Sequence, residues 1–195
     1  IGTVTFYDPA TGTFGALGHG ITDIDTGMLM PLGDGAVMDA SVKAVKRGSA
    51  GNPGELKGNF DLTSDMGKLY ANTDRGVFGT MERCDFAGSA AVPVAAPGEV
   101  RSGPAAILAN VSGDGVEEYA IEIVRVLEGS EVQNLLIQVT DRELIERTGG
   151  IVQGMSGSPI LQNGKLIGAV THVMVNEPTK GYGILIENML AQAGR

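Results

Sequence analysis

The chain has 195 residues, enough for one domain or for two small lobes sharing a cleft, and enough to bury a core without metal or disulfide staples. Its net charge of −9 argues against a nucleic-acid partner, whose phosphates it would repel. The single cysteine, Cys84, excludes an internal disulfide and cysteine-rich zinc sites. With no glycine nearby, Cys84 reads as a buried, inert thiol. No apolar run is long enough to span a bilayer and no signal peptide is visible. The chain opens at Ile1 and not at Met, so we expect a fragment whose anchor or export signal lies outside it. Thirty glycines and few aromatics favour short strands and many turns, hence small β-barrels over helical packing.

In chain order, residues 2–6 are β-branched and aromatic and read as a strand already under way, not as a processed N-terminus inserted into a pocket. Asp8-Pro9-Ala10-Thr11-Gly12 is a turn, because proline fixes φ at its second position. Residues 13–17 return as a second strand that runs into Gly18-His19-Gly20. Strands are expected at 28–32, 36–45, 56–62, 68–71 and 76–81. Residues 87–97 connect two lobes, approximately 1–95 and 96–195, since proline there argues against a central strand. Residues 105–111 and 118–127 form a long hairpin, and 135–139 a further strand. The alternation in Tyr119-Ala120-Ile121-Glu122-Ile123 is that of a half-buried strand. Thr140 with Glu143 reads as a capping box opening a short helix that Gly149 and Gly150 end. Asn163-Gly164, set between the apolar runs 160–161 and 166–170, is a strong hairpin signal. A strand at 182–186 and a short helix at 187–192 close the chain.

Two motifs carry chemistry. Gly154-Met155-Ser156-Gly157-Ser158-Pro159 holds a serine on a tight loop leading into that hairpin. A loop of this form can present Ser156 as a nucleophile, with the N–H groups of Gly154 and Ser156 as an oxyanion hole. The same pattern also suits a plain glycine-rich turn. A serine hydroxyl needs a base to take its proton. Of the two histidines, His19 lies between glycines just after a strand, where its imidazole is approachable, and its ordinary pKa of about 6.5 suits the task. His then Ser, across two β-rich halves, is the order of chymotrypsin-like enzymes.

Together, residues 2–9, 15–19, 51–55, 76–79, 148–159 and 168–173 resemble the peptidase domain of the SpoIVB (stage IV sporulation protein B) family, and the block 148–173 is the most specific. The resemblance covers nearly the whole chain; residues 33–39 and 61–74 match least well. It implies an all-β, two-lobed, chymotrypsin-like double β-barrel. It also implies a serine endopeptidase with Ser156 as nucleophile and His19 as general base; no cluster of residues suggests a metal or organic cofactor. Family members carry an N-terminal membrane-associated segment and a PDZ domain, both absent here. They act between the forespore and mother-cell membranes, where they cut themselves and a membrane-bound regulator of an intramembrane protease. Any membrane association would come through the missing N-terminal part.

The third catalytic member stays open. The resemblance nominates Asp141 as an orienting acid. Asp141 also begins the short helix, where an acid caps free N–H groups without any catalytic duty. In ordinary two-barrel proteases the acid comes from the first lobe, which suits Asp61, Asp65, Asp74 or Asp85. A Ser–His dyad aided by a backbone carbonyl or water is a further solution. His172, on the strand after the hairpin, either lines the substrate pocket or is a satisfied strand histidine. Met155 and Met174 either wall the same region or fill the core. Two other classes compete with the peptidase: a non-catalytic peptide-binding module on a protease fold, and an esterase. The esterase elbow would need a glycine where Ser158 stands.

Overall fold

The computed structural model describes residues 1–84, 89–127 and 129–194. Strands β1 (Val4–Asp8), β2 (Thr13–Ala16), β3 (Ala36–Lys46), β4 (Glu55–Thr73) and β5 (Gly76–Met81) form a sheet in the order β1-β2-β5-β4-β3. This sheet curls into a half-barrel. A closed barrel follows in the order β10-β11-β8-β7-β6-β9. Its strands are β6 (Gly103–Ala109), β7 (Glu117–Val126), β8 (Leu135–Val139), β9 (Pro159–Gln162), β10 (Lys165–Val173) and β11 (Lys180–Leu185). Helix α1 (Arg142–Thr148) precedes the serine loop and α2 (Ile186–Ala193) closes the described chain. The all-β, two-lobed plan expected from the sequence is present, with only the second lobe closed.

Alternation explains the barrel. Along β7, Tyr119, Ile121 and Ile123 point inward and are buried, while Glu118, Ala120 and Glu122 face solvent. With Ile107, Leu135, Ile137, Val139, Met155, Ile160, Ile167 and Val170 they make one core, which Leu56 of β4 enters from the first lobe. A second core joins the lobes. Phe78 of β5 packs with Leu166, Ala169, Ile184, Ile186 and Met189, so β5 is sealed against β10, β11 and α2. Tyr70 of β4 donates to the Ala193 carbonyl at 2.6 Å and ties α2 to the first sheet.

Several local expectations are corrected. Residues 28–32 form no strand. They close a surface loop through a Thr22–Leu29 bridge, and Asp23 Oδ1 accepts from the Thr26 N–H and hydroxyl, so the turn is satisfied locally. The strands expected at 56–62 and 68–71 are one long strand, β4, because β3 pairs along it from Glu55 to Lys68 and absorbs the interruption as bulges. Helix α1 is capped by Asp141 and not by Thr140: Asp141 Oδ1 accepts the Leu144 N–H at 3.0 Å. Gly149 ends that helix in the left-handed conformation, as expected. Cys84 is partly exposed and not buried. Met155 is core, only 1% exposed. Residues 87–88 of the expected connection, and Asp85, lie outside the described residues.

Candidate active site

The serine loop hangs between α1 and β9 and is fastened from three sides. Gln153 N–H donates to Gly54 O at 2.9 Å, and Leu56 N–H donates to Gln153 O at 2.8 Å, so the start of β4 grips the loop's entrance. Strand β1 and the residue before it grip its crown. Thr3 N–H donates to Ser156 O at 2.9 Å, Thr3 Oγ1 to Gly154 O at 3.3 Å, and Thr5 Oγ1 to Gly157 O at 2.8 Å. From the barrel, Gly157 N–H reaches Val170 O at 2.8 Å.

These bonds decide where the loop's amides point. A peptide unit is planar, with its C=O and N–H opposed. Leu56 holds Gln153 O, so the Gly154 N–H faces the other way. Ser158 N–H holds Met155 O at 2.9 Å, which turns the Ser156 N–H away likewise. Among the described residues neither amide meets an acceptor, whereas those of Gln153, Met155, Gly157 and Ser158 all do. Two uncommitted donors beside one serine are the arrangement that stabilises a developing oxyanion.

His19 reaches the same place from the first lobe. After β2 the chain turns through Leu17 (φ 67°) and Gly18 (φ 68°), with Leu17 N–H on Thr3 O at 3.1 Å. A side chain at Gly18 would meet Thr171 Cγ2 at 3.0 Å and Ile184 Cγ2 at 2.9 Å, so the histidine loop lies directly on β10 and β11. The His19 ring stands 4.8 Å from the His172 ring. Ser156 Oγ donates to the carbonyl of Thr171, the residue before His172, at 2.9 Å. A register shift between Val170 and His172 takes Thr171 out of pairing with β11 and aims its carbonyl at the serine. Ser156, His19, His172 and the amides of Gly154 and Ser156 therefore share one surface where the lobes meet.

Among the described residues no hydrogen bond joins His19 to a candidate acid. Asp141 Oδ1 is on Leu144 N–H and Oδ2 on Ala120 N–H at 3.3 Å, so its carboxylate joins α1 to β7. Asp61 serves Thr63, and Asp65 and Asp74 are exposed. His19 Nδ1 instead lies 2.9 Å from its neighbour's carbonyl, Gly20 O. A carbonyl only accepts, so Nδ1 carries a proton, and in the neutral ring Nε2 is the nitrogen with the free lone pair. Sequence reasoning missed Thr171, Gly20, Thr3 and Thr5. Backbone carbonyls leave no mark in a sequence. Thr3 and Thr5, two apart in the strand expected at 2–6, would share a face, which is the one available hint.

The chain matches the family model described as SpoIVB peptidase S55 over residues 1–190. It belongs to the SpoIVB peptidase S55 family. No curated protein matches it. Solved structures similar to it include the Rv3671c protease in its inactive form, at 15% identity over 68% of this chain and 69% of that one, with a TM-score of 0.46. Another is the active form of the Rv3671c protease from M. tuberculosis, at 14% identity over 86% and 94%, with a TM-score of 0.44. As an S55 peptidase the chain is a serine peptidase with protein substrates.

Beside His19, His172 has a measurable consequence. It keeps solvent access, yet the atoms packed around its ring, and then the charge of His19, hold its pKa below the ordinary histidine value. Below about pH 6.5 the unfolded chain takes up this proton more readily than the folded one. Stability is therefore retained above that pH and declines as pH falls toward the depressed value. Urea titrations at about pH 7.5 and about pH 5 should show this loss, and His172→Gln should flatten it.

Proposed function

We propose that the chain is a serine endopeptidase acting through an acyl-enzyme, with Ser156 as nucleophile and His19 as general base. The observation that carries the reading is the serine hydroxyl on the Thr171 carbonyl, one residue from an imidazole whose ring lies 4.8 Å from that of His19. In this mechanism the hydroxyl leaves Thr171 O for Nε2 of the neutral His19 ring. Nε2 then accepts the proton as Oγ attacks the substrate carbonyl. The Gly154 and Ser156 N–H groups receive the oxyanion. His19 passes its proton to the leaving amine, and water hydrolyses the ester by the same route in reverse.

Orientation of His19 comes from Gly20 O, and Asp141 acts as a helix cap. Asp141→Asn keeps an oxygen for Leu144 N–H and loses the longer bond from Ala120 N–H, so it should cost about 1–2 kcal/mol in a denaturant titration and leave turnover near wild type. A loss of about a hundredfold or more in turnover, with the fold intact, would instead put this carboxylate in the catalytic set.

Membership of the SpoIVB family supports two finer inferences. The substrates are the protein itself and a membrane-bound regulator of an intramembrane protease, and the place of action is the space between forespore and mother-cell membranes during sporulation. Among the described residues no helix is long and apolar enough to cross a membrane. The decisive experiment is reaction with a fluorophosphonate probe followed by peptide mapping. One adduct, on Ser156, lost in His19→Ala, is expected. A folded protein that takes no adduct would favour a peptide-binding module on a protease fold.

A further inference from the structure

We propose that Asn72 of β4 is a positioning residue for His19, acting through the Gly20–Ile21 peptide. The inference rests on the assignment of His19 as the base. The Asn72 side chain makes three hydrogen bonds to the loop that follows the histidine. Oδ1 accepts the Ile21 N–H at 2.8 Å, and Nδ2 donates to Ile21 O at 2.8 Å and to Met30 O at 2.9 Å. Two carbonyl partners on one side fix which terminal atom is nitrogen.

The Ile21 N–H and the Gly20 C=O belong to one planar peptide and point in opposite directions. Gly20 O is the acceptor of His19 Nδ1–H. One line of hydrogen bonds therefore runs from the imidazole, across a single peptide, to the Asn72 carboxamide. Bonds in series polarise one another. By drawing on the Ile21 N–H, Asn72 makes Gly20 O the stronger acceptor, and the gain is largest when His19 becomes an imidazolium. That is the part a triad carboxylate plays, here taken by a backbone unit without a charge.

The peptide has little freedom to leave this line. A Cβ on Gly20 would sit 2.6 Å from Thr73 O and 2.2 Å from Leu29 Cδ1, so Gly20 is seated against the residue after Asn72. Asn72 itself is held in register opposite Val77 of β5. Ile21 O also accepts the Met30 N–H at 3.0 Å, which closes the loop around the carboxamide. The titratable ring facing His19 is that of His172 on β10, which every variant below keeps.

The test is the rate of fluorophosphonate reaction at Ser156 against pH, with melting curves, for wild type, Asn72→Ala and Asn72→Asp. Asn72→Ala removes acceptor and donors together. It should slow the reaction about tenfold or more and lower the apparent pKa of the base. Asn72→Asp keeps the acceptor and loses both donors. It should move that pKa back up, to wild type or above. The proposal is overturned if Asn72→Ala reacts as wild type does. It is equally overturned if both variants lose rate alike with an unmoved pKa, the pattern of a mere loop anchor. One measurement needs neither variant nor activity: wild type should show a hydrogen-bonded His19 Nδ1 proton by NMR, and its absence overturns the proposal whether or not the variants fold. A wild type that takes no adduct overturns the peptidase assignment instead, and the NMR result then decides this one.

Discussion

Ser156→Ala is expected to abolish peptide-bond cleavage, by roughly a millionfold, the scale on which removing the nucleophile of a serine protease acts. The residue deleted is small and half-buried, and its hydroxyl makes one hydrogen bond, to Thr171 O. That carbonyl borders the site and can take water in its place, so the loss in stability should stay within about 1 kcal/mol. The loop itself is not built on the side chain. Its fastenings run through the backbone of Gln153, Met155, Ser156, Gly157 and Ser158 to Gly54, Leu56, Thr3 and Val170. Turnover of a peptide substrate, next to a urea titration of the same sample, separates the two effects. A variant that keeps more than about a hundredth of wild-type turnover would remove Ser156 from the mechanism. A variant that loses turnover and fold together would leave the serine as a structural residue.

How much of this was legible beforehand depends on how local each feature is. The β7 alternation and the Asn163-Gly164 turn are written in neighbouring residues, and both stand in the structure. The continuity of β4 is not, because it is decided by pairing with β3 across a polar stretch that would break a strand on its own. At the start of α1, Thr140 and Asp141 are both competent caps. The choice falls to Asp141, whose second oxygen also reaches Ala120 on β7, a contact invisible from helix signals. The exposed methionines of 28–32 mislead for a related reason. Apolar character suggested a strand, but Met28 is 70% exposed and has no sheet to face. In the site, the glycine-flanked serine and histidine can be read as motifs. What joins them is tertiary: the Thr171 bulge, the Gly20 carbonyl, Thr3 and Thr5 act through backbone atoms or across lobes.

That junction also carries the largest expected loss of stability. Gly157 has φ +92°, and a Cβ there would lie 2.1 Å from Thr3 O and 2.6 Å from Leu17 N. Those two atoms are themselves hydrogen-bonded at 3.1 Å, so the added carbon would be driven into the bond between β1 and the turn leading to His19. Neither atom is the free end of a flexible side chain, and relief requires the lobes to shift. Gly157→Ala should therefore cost about 3 kcal/mol or more, read as a fall in Tm of roughly 6–12 °C for a chain of this size. Gly27→Ala is the matched control. It also has a left-handed φ, +67°, but nothing lies within 4 Å of the new carbon, so only the backbone cost of about 1 kcal/mol remains. Activity should follow the same contrast. Moving Leu17 moves His19, and moving Gly157 moves Ser156, so Gly157→Ala should separate the two side chains even in molecules that stay folded, whereas Gly27→Ala should retain turnover. Equal melting temperatures for the two variants would mean that the contact between β1, the serine loop and Leu17 yields easily, and that the two lobes are not held in register there.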